Sequence, residues 1–390
     1  MVRFSQALER VAARCEMSSL KTVIVQPWFT AIGHPAQSTL NTAKVLGRRN
    51  DVAYLVANPR ASAFEPFSTG IADYGRVVGF RAPEGFLRMG TMLAVAALAR
   101  LARRSSGLER VFFLDAHLLT LAALWPLVPA SLRAVRSLGL IYLAGPEPIA
   151  AHALKRFIVT HFLSAPGRRL FLRTGELAGA WRTAFAAVPA SHIDTIASLE
   201  ILDERDVVPQ REHAARVRFG VIGQVRPGKG LEWLVPLFQG ASAPGELLVA
   251  GTFTNAKHRA KLAMLEGYPN FDNRFLAENE MLAAAGAQDY LLALYDNWDP
   301  RMEAATMFLA ARVGRPVIVY DEGWPGRMVR EFGCGISVAR QHRPDARFFC
   351  GLPRPGDPAY RSLLSGVERF RQAHGGATSR EAFLAKLLGD

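Results

Sequence analysis

The sequence predicts an α/β protein made of two doubly wound, parallel-sheet domains. Three observations carry the prediction. At 390 residues the chain is long for one core, since domains usually hold roughly 100 to 200 residues. Short, β-branched apolar runs alternate with helix-length stretches, as parallel sheets covered by helices require. The alternation occurs in two series, separated by the polar, charged passage 202–216, LDERDVVPQREHAAR, which reads as a linker.

The first series opens with Thr22–Gln26, which ends in Pro27 and a loop containing Gly33, followed by a helix near Gln37–Arg48. Strand signals recur at Val52–Val56, Arg76–Phe80, Val111–Leu114 and Leu140–Leu143, each a short apolar run suited to burial on both sheet faces. Between the third and fourth lies a helical stretch, Glu84–Arg104. The second series runs through Val217–Ile222, Glu246–Ala250, Tyr290–Ala293 and Pro316–Val319. Ala359–Leu388 reads as two helices broken at Gly375 and Gly376. The resulting division is an extension over 1–20, a first domain over 21–205, a second over 206–358, and terminal helices over 359–390 placed to cross back to the first domain. No fixed-period repeat is visible.

Half the residues are apolar and 21% are charged, a globular composition. The net charge of +13 is concentrated in the first half: residues 1–200 hold 23 Lys and Arg against 12 Asp and Glu, and the rest hold 24 against 22. A one-sided positive field favours anionic partners such as phospholipid headgroups, nucleic acid or phosphorylated substrates. The basic residues are not interleaved with aromatics in a nucleic-acid module, so no nucleic-acid partner is expected. Cys15, Cys334 and Cys350 follow no disulfide or metal-ligand spacing and fit a reducing cytoplasm. The first residues carry no apolar core of signal-peptide length, and Met17 is an alternative start. No apolar run of about 18 residues predicts a spanning helix. A cytoplasmic location, peripheral to the inner membrane face, is expected.

The most informative string is FGVIGQVRPGKGLEWLVPLF, Phe219–Phe238. A strand leads into a loop with Gly223, Gly228 and Gly230 around Arg226 and Lys229, and an amphipathic helix follows. Glycines let backbone approach a ligand, a helix start offers free N–H groups, and Arg and Lys supply charge. Together they make an anion site suited to a nucleotide diphosphate. The plain alternative is an ordinary strand-to-helix turn with solvated basic residues.

GQVRPGKGLEWL resembles the element of GT-B glycosyltransferases in which a strand ends in Gly and a basic pair precedes a helix, and LLVAGTF, Leu247–Phe253, resembles the next strand. GRPVIVYDEGWPGRMVREFGCGISV, Gly314–Val338, resembles the closing unit of that family's donor domain. The resemblance covers about the last 170 residues well and the first 200 loosely. It implies two Rossmann-like domains facing a central cleft. It also implies transfer of a sugar from a nucleotide diphosphate donor without a metal or other cofactor; no Asp-x-Asp metal motif occurs. By the resemblance Gly223, Arg226 and Lys229 contact the diphosphate, and Glu322, Gly323, Gly326 and Arg327 lie on the donor side. Many retaining members carry two Glu with seven residues between them; Arg301 and Leu309 stand at those positions here, and the nearby Glu303 is the substitute candidate for donor contact. The chain is thus closer to bacterial exopolysaccharide and lipid-linked-sugar transferases that lack the pair. Its acceptor would be lipid-linked or a polysaccharide.

Sugar transfer needs stabilised leaving charge and, with inversion, a base for the acceptor hydroxyl. In VFFLDAHLLTLAAL, Val111–Leu124, Asp115 and His117 directly follow a strand, at the edge where open α/β sheets bind ligands. Asp115 is assigned as base. His117, by the resemblance, contacts the transferred sugar. The alternative is an Asp that caps the next helix with His117 as a surface neighbour. Gly33 and His34, in the loop after the first strand, lie at the same edge and could touch donor or acceptor. The stretch Glu84–Arg104 combines an apolar body with Arg100, Arg103 and Arg104, fitting either a core helix with a basic carboxyl end or an element resting on anionic lipid. Two rival functions keep the fold: a nucleotide-sugar epimerase, and a non-catalytic subunit binding a nucleotide sugar or polysaccharide. A dehydrogenase is disfavoured because no GxGxxG follows the first strand.

Overall fold

The computed structural model describes residues 20–28, 34–58, 65–83, 86–105, 107–201, 216–240 and 242–388. The passage read as a linker falls almost wholly outside them, as do Gly33, Cys15 and Met17. The chain divides into two compact units, one holding the residues up to Ala197 together with those from Glu381 onward, the other Ser198–Arg380.

The first unit contains a seven-stranded, wholly parallel sheet: β1 (Thr22–Gln26), β2 (Val52–Ala57), β3 (Arg76–Phe80), β4 (Arg110–Phe113), β5 (Ser137–Ile141), β6 (Arg168–Leu172) and β7 (Ile193–Thr195), in the order β3-β2-β1-β4-β5-β6-β7. β1 and β2 are buried at every position. That is why they read as unbroken apolar runs and not as alternating ones. The order reverses between β1 and β4; Thr22 of β1 pairs with Val52 of β2 on one side and Arg110 of β4 on the other. Chain leaving the carboxyl ends of these two strands diverges there and opens a crevice.

The helices used below are α1 (His34–Leu46), α2 (Glu65–Ala72), α3 (Leu87–Ala102), α4 (Leu118–Leu124), α5 (Ala153–Ser164) and α6 (Gly175–Ala184). α3, α4 and α5 lie side by side in a row, and α1 pairs with α2. α3 has one buried face and one exposed face. Gly90, Thr91, Ala94, Val95, Leu98, Leu101 and Ala102 face the core. Phe86, Met89 and Met92 are exposed beside Arg88, Arg100, Arg103 and Arg104. Among the described residues no helix is long and apolar enough to cross a membrane.

β6 was not anticipated because it begins with two arginines. Arg168 is nevertheless buried, its guanidinium 4.8 Å from the Trp125 ring centre and 5.9 Å from that of Phe162. Aromatic faces attract a cation electrostatically, which lets charge enter a strand that composition would reject. Trp181 anchors the far side, stacked 4.8 Å from Phe185, with its indole N–H donated to the Ala144 carbonyl at 2.9 Å. An apolar ring with its polar handle satisfied can be fully buried at little cost.

The second unit holds β8 (Arg218–Ile222), β9 (Glu246–Ala250), β10 (Phe271–Asp272), β11 (Tyr290–Ala293), β12 (Val317–Tyr320) and β13 (Gly335–Val338), all parallel, in the order β10-β9-β8-β11-β12-β13. Here the reversal lies between β8 and β11. The helices are α7 (Leu231–Leu237), α8 (Glu278–Gly286), α9 (Ala305–Val313), α10 (Gly323–Phe332) and α11 (Pro358–His374); α12 (Gly376–Leu388) follows, and its residues from Glu381 onward belong to the first unit. One face of the sheet is packed by Phe308, Trp324 and Phe370, the other by Phe238, Phe349 and Tyr360. Arg315 is buried where α8 ends, donating to the carbonyls of Gly286 at 2.7 Å and Gln288 at 2.8 Å. Helix-terminal carbonyls lack intrahelical partners, so the guanidinium satisfies them and pins α8 to the start of β12.

Candidate active site

In the second unit the Gly loop follows β8 and the string DNWDPRM, Asp296–Met302, follows β11; both therefore leave the sheet at its reversal point. Gly223, Gly228 and Gly230 all take positive φ, 103°, 83° and 74°. A side chain at Gly230 would place Cβ 2.7 Å from the Leu294 carbonyl, so the loop can lie against the end of β11 only because that residue has none. Asp296 N–H donates to the Gly228 carbonyl at 2.9 Å, and Gly228 N–H to the Glu232 carboxylate at 3.2 Å.

This packing carries Lys229 inward. It is 8% exposed, with Nζ 5.9 Å from the Tyr295 ring centre, while the Arg226 guanidinium lies 5.2 Å from that of Trp298. Tyr295 and Trp298 are themselves 5.5 Å apart, and the Tyr295 hydroxyl is fixed against Thr306 Oγ1 at 2.6 Å. Among the described residues neither Arg226 nor Lys229 has a carboxylate partner. Burial, reinforced by the neighbouring Arg226 charge, draws the Lys229 ammonium down to about 7. Two cations share an aromatic shelf with no anion to balance them, an arrangement that desolvation and repulsion both oppose until an anion binds.

The turn from β12 into α10 closes on the same edge. Gly323 takes φ 58°, and a Cβ there would lie 2.0 Å from the Pro300 carbonyl, which instead accepts the Trp324 N–H at 2.7 Å. Glu322 caps α10 in position but accepts from Arg340 Nη1 at 3.1 Å, and Arg340 also donates to the Asp296 carbonyl. Gly326 is needed for packing, because its Cβ would meet the Asp321 carbonyl carbon at 2.8 Å. Arg327 sits exposed one turn into α10, where its charge bears on His374. Glu303 is half-buried just before α9. The two positions where retaining relatives carry Glu are otherwise used: Arg301 is locked to Asp299 at 2.7 and 2.9 Å, and Leu309 is buried.

In the first unit Asp115 and His117 follow β4, at that sheet's reversal. The residue capping α4 is His117, not Asp115: the Thr120 N–H donates to His117 Nδ1 at 3.3 Å, and Thr120 Oγ1 lies 2.7 Å from the same nitrogen. His117 N–H in turn donates to Thr91 Oγ1 at 2.9 Å, whose own hydroxyl donates to the Leu87 carbonyl. An Nδ1 that accepts leaves the proton on Nε2. Burial and the charges of Arg88 and Lys155 hold the imidazole below its usual value, in keeping with that neutral tautomer. His117 therefore presents an N–H donor. Asp115, released from capping, keeps part of its surface accessible, yet burial outweighs the Ala116 backbone hydrogen bond and the Arg173 charge and pushes its carboxyl up to about 7. A carboxyl at that value exchanges protons near neutrality.

The structure thus brings together Gly223, Arg226 and Lys229, with Glu322 and Gly323 on the same edge, and separately Asp115 with His117. His34 opens α1. Trp298, Tyr295 and Arg340 were not anticipated; a tryptophan in a polar string directly after a strand was the available signal.

No protein-family model and no curated protein matches the chain. Solved structures do. HepE from Anabaena, in complex with UDP and glucose, aligns with TM-score 0.69 and 13% identity over 95% of this chain and 99% of that one. WaaG, a glycosyltransferase involved in lipopolysaccharide biosynthesis, aligns at 0.62 and 12% over 95% and 100%. The sucrose-phosphate synthase of Thermosynechococcus elongatus aligns at 0.63 and 14% over 95% and 98%. With parallel sheets of seven and six strands, interleaved helices and this likeness over nearly its whole length, the chain has the GT-B fold.

Proposed function

We propose that the protein is a glycosyltransferase moving a hexosyl group from a nucleotide diphosphate sugar to a lipid-linked or polysaccharide acceptor, in bacterial exopolysaccharide or related glycan synthesis. The observation that carries this reading is the pair of buried Lys229 and half-buried Arg226 on its aromatic shelf, with no carboxylate partner among the described residues. A diphosphate satisfies both cations, and the UDP and UDP-glucose bound in the HepE structures are ligands of that class.

In this reading the acceptor hydroxyl gives its proton to Asp115, its oxygen bonds to the anomeric carbon, and the bond from that carbon to the diphosphate oxygen breaks. Lys229 and Arg226 take up the charge left on the diphosphate, with no metal required. His117 donates its Nε2–H to a sugar hydroxyl.

The first experiment is to incubate the chain with a panel of nucleotide sugars, with and without a membrane lipid extract, and to measure released nucleoside diphosphate. Release that needs one particular donor and the extract is expected. A second reading is favoured by Arg301 and Leu309 standing where a Glu pair would be: a subunit that binds a nucleotide sugar without turning it over. Donor binding without release under any condition would establish that alternative.

The outward face of α3, with Phe86, Met89 and Met92 among four arginines, supports a peripheral location on an anionic membrane. Co-sedimentation with phosphatidylglycerol vesicles, lost in phosphatidylcholine, is the expected result; equal binding to both would remove the membrane reading.

A further inference from the structure

Exposed large apolar side chains are unevenly spread. Among the described residues they are Phe86, Met89, Met92, Leu127, Leu143, Leu154, Phe157 and Phe275, and Phe275 alone belongs to the second unit. Phe86 and Met89 stand at the start of α3, Leu143 in the chain leaving β5, and Leu154 and Phe157 in the first turns of α5. All five therefore ring the carboxyl edge of the first sheet. Leu154 and Phe157 are 70% and 69% exposed, and Phe157 stacks on His161 with ring centres 6.3 Å apart.

Two positive groups, Arg88 and Lys155, stand at the same edge. The packing of α3 on α4 and α4 on α5 sets their starting turns beside one another, and the bond from His117 N–H to Thr91 Oγ1 ties the α4 start to α3. Arg88 and Lys155, from the flanking helices, are near enough for their charges to bear on the imidazole between them. Among the described residues neither has a carboxylate partner.

We infer that Arg88 and Lys155, on the two sides of His117, form a subsite for the phosphate of an amphiphilic acceptor, whose hydrocarbon chain lies against Phe86, Met89, Leu154 and Phe157. The inference rests on the transferase reading and selects, between its two acceptor classes, the phosphate-bearing lipid. A neutral polysaccharide gives two unpaired cations nothing to bind and gives exposed apolar side chains no reason to gather around them. A phosphate joined to a hydrocarbon matches both, since charge-assisted hydrogen bonds hold the head and apolar burial holds the tail.

The test uses the full chain carrying Arg226→Ala and Lys229→Ala, so that the probes are not drawn to the basic Gly loop. Geranyl pyrophosphate, geraniol and inorganic pyrophosphate are titrated by calorimetry. Geranyl pyrophosphate is expected to bind at least about tenfold tighter than either fragment, and adding Arg88→Gln with Lys155→Gln is expected to cost about tenfold or more, the range of charged hydrogen bonds. Leu154→Ser with Phe157→Ser is expected to reduce its affinity to that of inorganic pyrophosphate while leaving the latter unchanged. Unchanged affinity in the Arg88/Lys155 variant would overturn the inference. So would a loss of phosphatidylglycerol-vesicle binding equal to the loss of geranyl pyrophosphate, because the pair would then read bulk lipid. A panel of nucleoside diphosphates titrated against the chain with Arg226 and Lys229 intact separates the two levels. Nucleotide binding without geranyl pyrophosphate binding sinks this inference alone. The converse sinks the transferase reading and leaves the phosphate subsite standing.

Discussion

Replacing Lys229 with Met lowers affinity for the nucleotide diphosphate sugar by roughly ten- to hundredfold, the equivalent of about 1.5–3 kcal/mol for a hydrogen bond between charged groups. The substitution keeps the apolar stem and removes the charge, so the buried loop around Tyr295 has no cavity to fill. The loss has a pH signature. In the unliganded chain the Lys229 ammonium loses its proton at about 7. A diphosphate binds the protonated form, so binding above that value takes up a proton. Affinity of the unmodified chain therefore falls by up to about tenfold per pH unit above about 7, while that of the Met variant changes little. Calorimetry in two buffers of different ionisation enthalpy measures the proton directly. A pH-independent affinity in the unmodified chain, or equal proton uptake in both, would remove Lys229 from the diphosphate site.

The second large effect is on turnover. Asp115→Asn is expected to reduce kcat/KM by roughly 10²- to 10⁴-fold, the usual contribution of a positioned base. The carboxyl, pushed up to about 7, acts only when ionised. If the proposed transfer occurs, the unmodified chain is expected to gain activity as pH rises through about 7, and the Asn variant to show no such limb. With donor affinity declining on the alkaline side, the profile is a narrow bell near neutrality whose two limbs belong to different residues. Each variant should flatten one limb only, and a variant that flattens both or neither would separate the residue from its assigned role. His117 needs a different substitution: Asn retains a cap for α4, whereas Ala would add roughly 1 kcal/mol of lost capping to any loss of contact.

How far the sequence could be read depended on how local the determining physics was. β1, β9 and β11 were legible because burial on both faces demands a continuous apolar run, and a run is a local property. Pro316 was expected to begin β12, yet the strand starts at Val317: Pro has no N–H to give a neighbour, though its carbonyl still accepts from Leu291. β5 lies some residues before its expected place because Gly139 breaks the apolar pattern; its missing side chain is what leaves room for the Phe112 ring, which a Cβ would approach to 2.4 Å. The Gly loop between β8 and α7 was legible for the same reason as the strands, since its three glycines, all at positive φ, fall within eight residues of chain. The aromatic shelf beneath it was not. Tyr295 and Trp298 reach Lys229 and Arg226 only through the adjacency of β8 and β11, which no spacing within either string encodes. The identity of the α4 cap was equally hidden, because Asp is the better generic cap and only Thr91, on another helix, holds the His117 backbone in place.

The last helix bears on how the chain is made. Phe112 in β4 stacks 5.6 Å from Phe171 and also meets Phe383 of α12 at 6.5 Å, and Lys386 of the same helix pairs with Asp194 in β7. Domains generally fold as their residues leave the ribosome, amino-terminal ones first. Here the strand that leads to Asp115 keeps an apolar side uncovered until Phe383 has been synthesised. The first unit is begun before the second and completed only after it.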